Sequence, residues 1–218
     1  MARPVPQSFP CSGYERSAAQ KGKSFYRVDP ARSLISILVR RGGSLARLGH
    51  DHVVASHGVQ GCITPEEGSA DLYIVLVDLV VDEPALRAET GLDTQPSESD
   101  IAGTRANMLE KVLNTQQFPF AHIRVNGLKK MPMGVRLNVA ITLHGVTRAF
   151  EVPAQMDASQ DEMNATGSLE LNQSDFGIVP FSILGGAIQV QDRMALNFKI
   201  RSRRVGSLSG PSSPWSVH

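Results

Sequence analysis

Apolar and polar residues alternate with a period of two along most of this chain, and that alternation limits the fold more than any other feature of the sequence. The longest example covers residues 188–201. Its apolar positions are Ile188, Val190, Met194, Leu196, Phe198 and Ile200. Successive side chains of a β-strand point to opposite faces of a sheet, so this run predicts a long strand with one buried and one exposed face.

Two further alternating runs, at 135–143 and 146–156, flank the dipeptide His144-Gly145. A short turn between two such runs is typical of a β-hairpin, with His144 in the turn. Shorter alternations cover residues 34–40, 121–125 and 165–171. The run Leu72–Val81 is apolar on both faces, so its register stays open. Together these runs predict about eight antiparallel strands.

One segment departs from the strand pattern. Between Asp100 and Asn114 the apolar residues fall near helical spacing, with Ser99 or Asp100 as the N-cap, which predicts one main helix. A shorter helical turn is expected after Pro84 and should end at Gly91. Strands and helices do not alternate, and the longest strands exceed the usual length. We therefore predict an all-β fold, an elongated antiparallel barrel of about eight strands with one main helix.

Both ends of the chain are rich in Pro, Ser and Gly and show no periodicity. Such segments do not bury enough apolar surface to become ordered alone. We therefore predict a disordered N-terminal tail over residues 1–22, a barrel domain over 23–204 and a disordered C-terminal tail over 205–218, which contains Trp215.

Composition and charge exclude several classes of protein. The formal net charge is +1, so no strong field attracts nucleic acid, and we expect no nucleic-acid partner. No apolar run approaches the roughly 20 residues that cross a bilayer, which argues against stable membrane insertion. The first residues lack the apolar core of a secretory signal, which favours a cytoplasmic location. Cys11 and Cys62 are too few for a disulfide framework, and Cys62 is interpreted as a small buried hydrophobic residue.

Three histidines lie close together in the segment 48–58 and are the most distinctive candidates for chemistry. If His50 and His52 lie in extended chain, their side chains point the same way and lie about 6–7 Å apart. With His57 folded back, the three could bind a metal or haem iron, so a metal- or haem-dependent enzyme is one alternative. The spacing matches no established zinc motif, so we favour imidazoles that hydrogen-bond the backbone. We expect no metal, no cofactor and no catalytic residues.

The predicted inner faces consist mainly of residues of middling size, and only 6% of the chain is aromatic. The candidate ligand-binding residues are Ile35, Ile37, Val39, Ile123, Val125, Leu137, Val139, Ile141, Phe150, Val152, Leu169, Phe176, Met194, Leu196 and Phe198. A barrel of about eight strands either fills with its own side chains or encloses one small ligand. The sequence therefore allows an internal slot for a long apolar ligand, or a filled barrel that acts as an interaction module.

Four short motifs follow one another between residues 26 and 178. They are YRVDPARS at 26–33 with Gly-His-Asp-His at 49–52 after it, NMLEKVL at 107–113 followed by Phe118-Pro119, LHGVTR at 143–148 and LNQSDFGI at 171–178. This order resembles the YceI-like polyisoprenoid-binding family. The resemblance implies a lipocalin-like barrel that holds long isoprenoid chains, and a periplasmic location as the alternative to the cytoplasm. One departure is Gln173, which stands where the family commonly has Arg.

The leading hypothesis joins the apolar inner face to this resemblance. We expect a non-catalytic protein that binds, transports or sequesters a polyisoprenoid, an isoprenoid quinone or a fatty acyl chain inside the barrel. Its partner would then be a long-chain isoprenoid or another lipid, and a homodimer is left open.

Overall fold

A computed structural model describes residues 5–7, 9–92, 94–159 and 161–205. In these residues, twelve β-strands form one antiparallel sheet. The strands are β1 (Tyr26–Val28), β2 (Leu34–Gly42), β3 (His52–Ser56), β4 (Gln60–Thr64), β5 (Ser69–Val75), β6 (Val80–Val81), β7 (Phe120–Lys130), β8 (Val135–Leu143), β9 (Val146–Ala158), β10 (Glu162–Asn172), β11 (Ser182–Ile183) and β12 (Ile188–Arg204). The helices are α1 (Cys11–Lys21), α2 (Pro84–Glu89) and α3 (Glu98–Asn107), and α3 continues as a π-helical stretch, Met108–Val112. Short 3₁₀ turns cover Pro30–Arg32, Ala46–Leu48, Pro65–Glu67, Leu76–Asp78, Ser174–Phe176 and Leu184–Gly186.

The sheet closes into a barrel because β1 pairs with both β4 and β12. The closed ring runs β1-β4-β5-β7-β8-β9-β10-β12, which is eight strands. β2 follows β1 after a 3₁₀ turn and also pairs with β12, so β1 and β2 are two halves of one interrupted barrel strand. β3 and β4 share the neighbouring position in the same way. The predicted all-β, antiparallel, eight-stranded barrel is confirmed.

The two clearest strand predictions are confirmed in register. The hairpin of β8 and β9 pairs Leu143 with Val146, and both turn residues, His144 and Gly145, have positive φ angles of 51° and 77°. A turn with positive φ at both central positions matches the right-handed twist of the strands that it joins. β12 contains a bulge between Val190 and Met194, where its register against β2 shifts.

The structure explains why the run Leu72–Val81 is apolar on both faces. In β5, Leu72 and Ile74 point into the barrel. Tyr73 points outward, but it is buried too, because Phe9 of the N-terminal segment packs against its ring at a centroid distance of 4.7 Å. The second apolar face is therefore covered by a segment far away in sequence.

The N-terminal segment differs from the predicted disordered tail. Residues Cys11–Lys21 form α1, and Cys11 makes a disulfide with Cys62 of β4 at a Cα–Cα distance of 5.7 Å. Ala18 of α1 and Phe25 pack beside this disulfide. Cys62 is fully buried as predicted, but its interpretation as a free hydrophobic residue is wrong, because its partner lies 51 positions away and local pattern carries no trace of it. The predicted C-terminal tail, with Trp215, lies outside the described residues except for Val205.

The predicted main helix is present, although its N-cap is Ser97 and neither Ser99 nor Asp100. The Ser97 hydroxyl accepts a hydrogen bond from the Asp100 backbone N–H, and the Asp100 carboxylate accepts one from the Ser97 backbone N–H. This reciprocal capping box starts the helix two to three residues earlier than expected. Ile101 and Met108 pack against the core, so α3 lies across the end of the barrel where β3 begins.

The shorter helix α2 also agrees with the sequence prediction. It begins at Pro84 and ends at Glu89, just before Gly91, which has a positive φ of 66°. Among the helices that the structure describes, none has the length and apolar character needed to span a membrane.

Candidate ligand-binding lumen

The barrel encloses a cavity of about 670 Å³. Pockets for small ligands usually measure about 300–1,000 Å³, so the cavity is of ligand-binding size. Of the predicted ligand-binding residues, those that line it are Ile35, Ile37, Val39, Ile123, Val125, Leu137, Val139, Ile141, Val152, Leu169, Phe176, Met194, Leu196 and Phe198. The lumen is therefore open, and the alternative of a barrel filled by its own side chains is wrong.

Phe150 is the exception among the predicted lining residues. It lies in β9 opposite Val139, and its ring stacks on Phe176 at a centroid distance of 6.2 Å and an interplanar angle of 30°. Phe176 belongs to the 3₁₀ turn after β10 and is completely buried. The Phe176 ring thus takes up the surface of Phe150 that would otherwise face the cavity. Strand parity alone does not show such a cover, because the turn comes from another part of the chain.

Several lining residues escape sequence analysis. Leu72 and Ile74 line the lumen, but the two-faced run that holds them gives no register. The helix contributes Met108, Val112 and Leu113. Their helical spacing was a usable signal for the helix, but it does not reveal that this helix lies across a barrel end.

Most of the polar side chains of this mainly apolar lumen gather at the same end. They include His50 and His52, with Asp100, Thr104 and Asn107 of α3. The rings of the two histidines lie 6.3 Å apart between centroids, which confirms the predicted spacing. Extended chain from His50 to His52 places both rings on the cavity side.

Asp82 holds His52 in position from behind. Its side chain has no exposed surface, and its Oδ2 lies 2.6 Å from Nδ1 of His52. Its Oδ1 accepts hydrogen bonds from the Val53 backbone N–H at 3.0 Å and from Nη1 of Arg87 at 2.6 Å. Arg87 is buried as well and also donates to the carbonyl oxygens of Asp51 and Thr94. A carboxylate that accepts from one ring nitrogen fixes the tautomer and orientation of an imidazole.

The pKa of Asp82 is lowered in spite of its burial. Burial by itself raises the pKa of this carboxyl group, but hydrogen bonds from His52, Val53 and Arg87 together with the charge of His52 outweigh it. Donors that bind the charged form favour that form. Asp82 is therefore an anion that accepts the Nδ1 proton of His52, and it leaves Nε2 of His52 as the nitrogen that can face a ligand.

His57 does not join the other two histidines. Residues 52, 54 and 56 of the chain line the lumen, so the next position faces outward. There, Nε2 of His57 lies 2.7 Å from Oε2 of Glu83. In the described parts of the chain, no group of three or more His, Cys, Asp or Glu side chains is placed to hold a metal ion. The three-histidine site for a metal or haem iron is wrong because strand parity separates its members, and the expected backbone hydrogen bonds of the imidazoles are replaced by contacts with Asp82 and Glu83.

Gln173 also lies at the lumen, and it is almost fully buried with 4% exposure. Its Nε2 donates to the Gln191 carbonyl oxygen at 2.9 Å. A neutral amide, already hydrogen-bonded, therefore occupies the position where an arginine was the family expectation. No charged contact to a ligand can arise from this residue.

Comparison with known proteins agrees with this architecture. The family profile of the YceI-like domain matches residues 26–202, while no curated protein sequence matches the chain. A polyisoprenoid-binding domain from Saccharophagus degradans, implicated in plant cell wall breakdown, superposes with a TM-score of 0.57 at 13% identity over 83% of this chain and 98% of its own. BcnA from Burkholderia cenocepacia superposes with a TM-score of 0.56 at 14% identity over 80% of this chain and 98% of its own. The profile covers most of the chain, and the matched residues form the closed barrel. The chain therefore belongs to the YceI-like family.

Proposed function

We propose that this protein binds a long apolar ligand in its lumen and carries or sequesters it without chemical change. The observation that supports this proposal most directly is the cavity of about 670 Å³ with a mainly aliphatic wall. The ligand classes that fit are a polyisoprenoid, an isoprenoid quinone or a fatty acyl chain. The similarity to a polyisoprenoid-binding domain supports the first of these classes.

Burial of a chain in this lumen supplies most of the free energy that binding needs. Each methylene group removed from water contributes about 0.8 kcal/mol, so about ten carbons contribute about 8 kcal/mol. The loss of translational and rotational freedom on association costs about 4–15 kcal/mol. A chain longer than about ten carbons therefore offsets most of this cost through its apolar surface alone.

A lipid analysis of the purified protein tests the proposal. We expect an organic extract to contain a long apolar molecule, identified by mass spectrometry, and we expect the same molecule to be recovered unchanged after incubation with the protein. Addition of that ligand in excess should raise the Tm, because it binds only the folded state. Preparations that repeatedly contain no lipid, together with a Tm that isoprenoid quinone and long acyl chains leave unchanged, would refute it. Recovery of a chemically altered ligand would indicate an enzyme instead.

We also propose that the protein works in an oxidising compartment. This favours the periplasm over the cytoplasmic location expected from the sequence. The supporting observation is the disulfide between Cys11 and Cys62. Disulfides persist in oxidising compartments and are rare in reducing ones. Cells should be quenched with acid and alkylated before lysis. Full protection of both thiols supports the proposal, whereas alkylation of both contradicts it.

A further inference from the structure

One polar atom of the lumen has no hydrogen-bond partner among the described residues. It is Nδ1 of His50, a buried atom of a ring that lines the cavity. Buried polar atoms in folded proteins are nearly always paired, so the unpaired nitrogen leaves His50 with an incomplete set of hydrogen bonds beside a binding cavity. A pure hydrocarbon does not satisfy this nitrogen.

A second ring nitrogen is available beside it. Asp82 engages Nδ1 of His52, so Nε2 is the ring nitrogen of His52 that is left for a ligand. The ring centroids lie 6.3 Å apart, so one ligand oxygen can bridge the two rings once the His50 ring turns Nδ1 toward the cavity. Threonine and asparagine side chains of α3, Thr104 and Asn107, line the same end of the lumen.

The charges at this end disfavour an anionic ligand. The carboxylate of Asp100 lines the cavity, and hydrogen bonds from Ser97 lower its pKa, so the ionised form is favoured. The guanidinium of Arg41 is already engaged, because it donates to the Gly49 carbonyl oxygen at 2.9 Å and lies 3.8 Å from Asp51. A carboxylate or phosphate would therefore meet a like charge at Asp100, and Arg41 is not free to offset it.

We propose that His50 and His52 form a headgroup site for a neutral hydroxyl, so that the ligand is a long-chain alcohol whose tail fills the lumen. A hydroxyl can donate to one ring nitrogen and accept from the other, whereas a carbonyl oxygen only accepts. This inference rests on the proposed function, since the tail must occupy the cavity for the oxygen to reach the histidines. The aliphatic wall determines the tail, and the two rings determine the head.

The test compares three ligands with the same number of carbons: hexadecanol, hexadecane and palmitate. Each is delivered from cyclodextrin and displaces a fluorescent apolar probe from the full-length protein, and the Kd of each is measured. The informative quantity is the ratio of alcohol affinity to alkane affinity, because it cancels the contribution of the shared chain. We expect palmitate to bind the wild-type protein more weakly than hexadecanol.

The test variant is His50→Leu, which keeps a side chain of apolar bulk but removes the ring nitrogen. We expect the alcohol-to-alkane affinity ratio to fall about tenfold in this variant, the effect of one lost hydrogen bond in a buried site. The matched control is His57→Leu, which removes an exposed histidine outside the lumen. The control should retain the wild-type ratio, and the affinity for hexadecane should be unchanged in both variants.

The outcomes separate the headgroup site from the proposed function. If hexadecane and hexadecanol bind but the ratio is the same in wild type and His50→Leu, the headgroup site is wrong and the apolar lumen stands. If palmitate binds most tightly and this preference disappears in His50→Leu, the head is an anion, which also overturns the hydroxyl site. If none of the three displaces the probe, the proposed function fails and the headgroup site fails with it.

Discussion

At the scale of single residues, the carboxylate of Asp82 is held by several contacts beside the lumen. It has no exposed surface and contacts His52, Val53 and Arg87. Asp82 itself has a positive φ of 58°, a backbone conformation that is uncommon for a residue other than glycine. The three donors hold the residue in this conformation, so the orientation of His52 depends on all of them.

Replacement of Arg87 should destabilise the protein strongly. Arg87→Leu leaves the buried Asp82 carboxylate without its cationic partner, and we expect the free energy of unfolding to fall by about 3 kcal/mol. Urea unfolding measures this loss. Arg47→Leu is the matched control, because Arg47 is an exposed arginine, and it should change stability by no more than about 0.5 kcal/mol. Equal effects of the two substitutions would mean that Asp82 is not held as the structure shows.

The lowered pKa of Asp82 predicts how stability depends on pH. The ionised form is favoured in the folded protein, so its stabilising effect is complete above the ordinary value of 3.8 and is lost as the pH falls from there towards the lowered pKa. Asp82→Asn should therefore give a smaller loss of unfolding free energy over that acid range than the wild type. The measurement is a series of urea unfolding curves at decreasing pH. Parallel pH profiles for the two proteins would contradict this assignment.

At the scale of elements, α1 shows how a helix can depend on a covalent bond to a distant strand. Its N-cap, Pro10, makes no side-chain cap hydrogen bond, and the helix contributes only Cys11 and Ala18 to the buried core. A short helix with so little buried surface is marginal in isolation. The disulfide to Cys62 and the contacts around Phe25 account for its order.

Removal of the disulfide should lower stability but leave the lumen intact. The bond joins residues 51 positions apart, and closure of a loop of that length restricts the unfolded chain by about 4 kcal/mol. Reduction with dithiothreitol should lower the Tm of the wild type and leave that of the Cys11→Ser, Cys62→Ser double variant unchanged. The reduced wild type and the double variant should both still bind a fluorescent apolar probe. Ile63 lines the lumen, so the adjacent Cys62 points to the outer face of the strand. A wild-type Tm that does not respond to the reductant would count against the bond.

At the scale of the whole molecule, closure of the sheet creates a lumen that no single strand contains. Leu196 of β12 lines it, whereas the adjacent Asn197 is exposed on the outside of the barrel. Ile141 and Asn138 of β8 form a second pair of one inner and one outer residue. These pairs allow bulk to be added to the inside or to the outside of one strand.

Tryptophan at an inner position should block uptake of a long apolar ligand. Leu196→Trp and Ile141→Trp place an indole ring in the cavity, and we expect loss of ligand binding at a cost of about 1–3 kcal/mol in stability, because open space accepts the added volume. Asn197→Trp and Asn138→Trp, on the outside, should bind as the wild type does. Fluorescence uptake and melting curves on the four variants provide the measurement. Loss of binding in the outer variants alone would mean that the lumen is not the binding site.

Much of the barrel follows from local sequence. Alternation in 135–143 and 188–201 determines both the strands and the sides to which their residues point, because side-chain parity is a property of extended backbone itself. The turn at His144-Gly145 is local in the same sense. For this reason the candidate ligand-binding residues other than Phe150 all line the cavity, and the pair of His50 and His52 has the predicted spacing.

Other features depend on segments that meet only in the folded chain. Phe150 is covered by Phe176, Cys62 is joined to Cys11 and His52 is oriented by Asp82, 30 residues away. Each of these contacts joins segments with no common periodicity, so no local pattern encodes it. The sequence by itself thus determined the strands, their inner and outer faces and the apolar character of the lumen. Only the tertiary structure decided that the lumen stays open and that most of its polar side chains gather at one end, because cavity shape and polar pairing depend on which distant side chains come into contact.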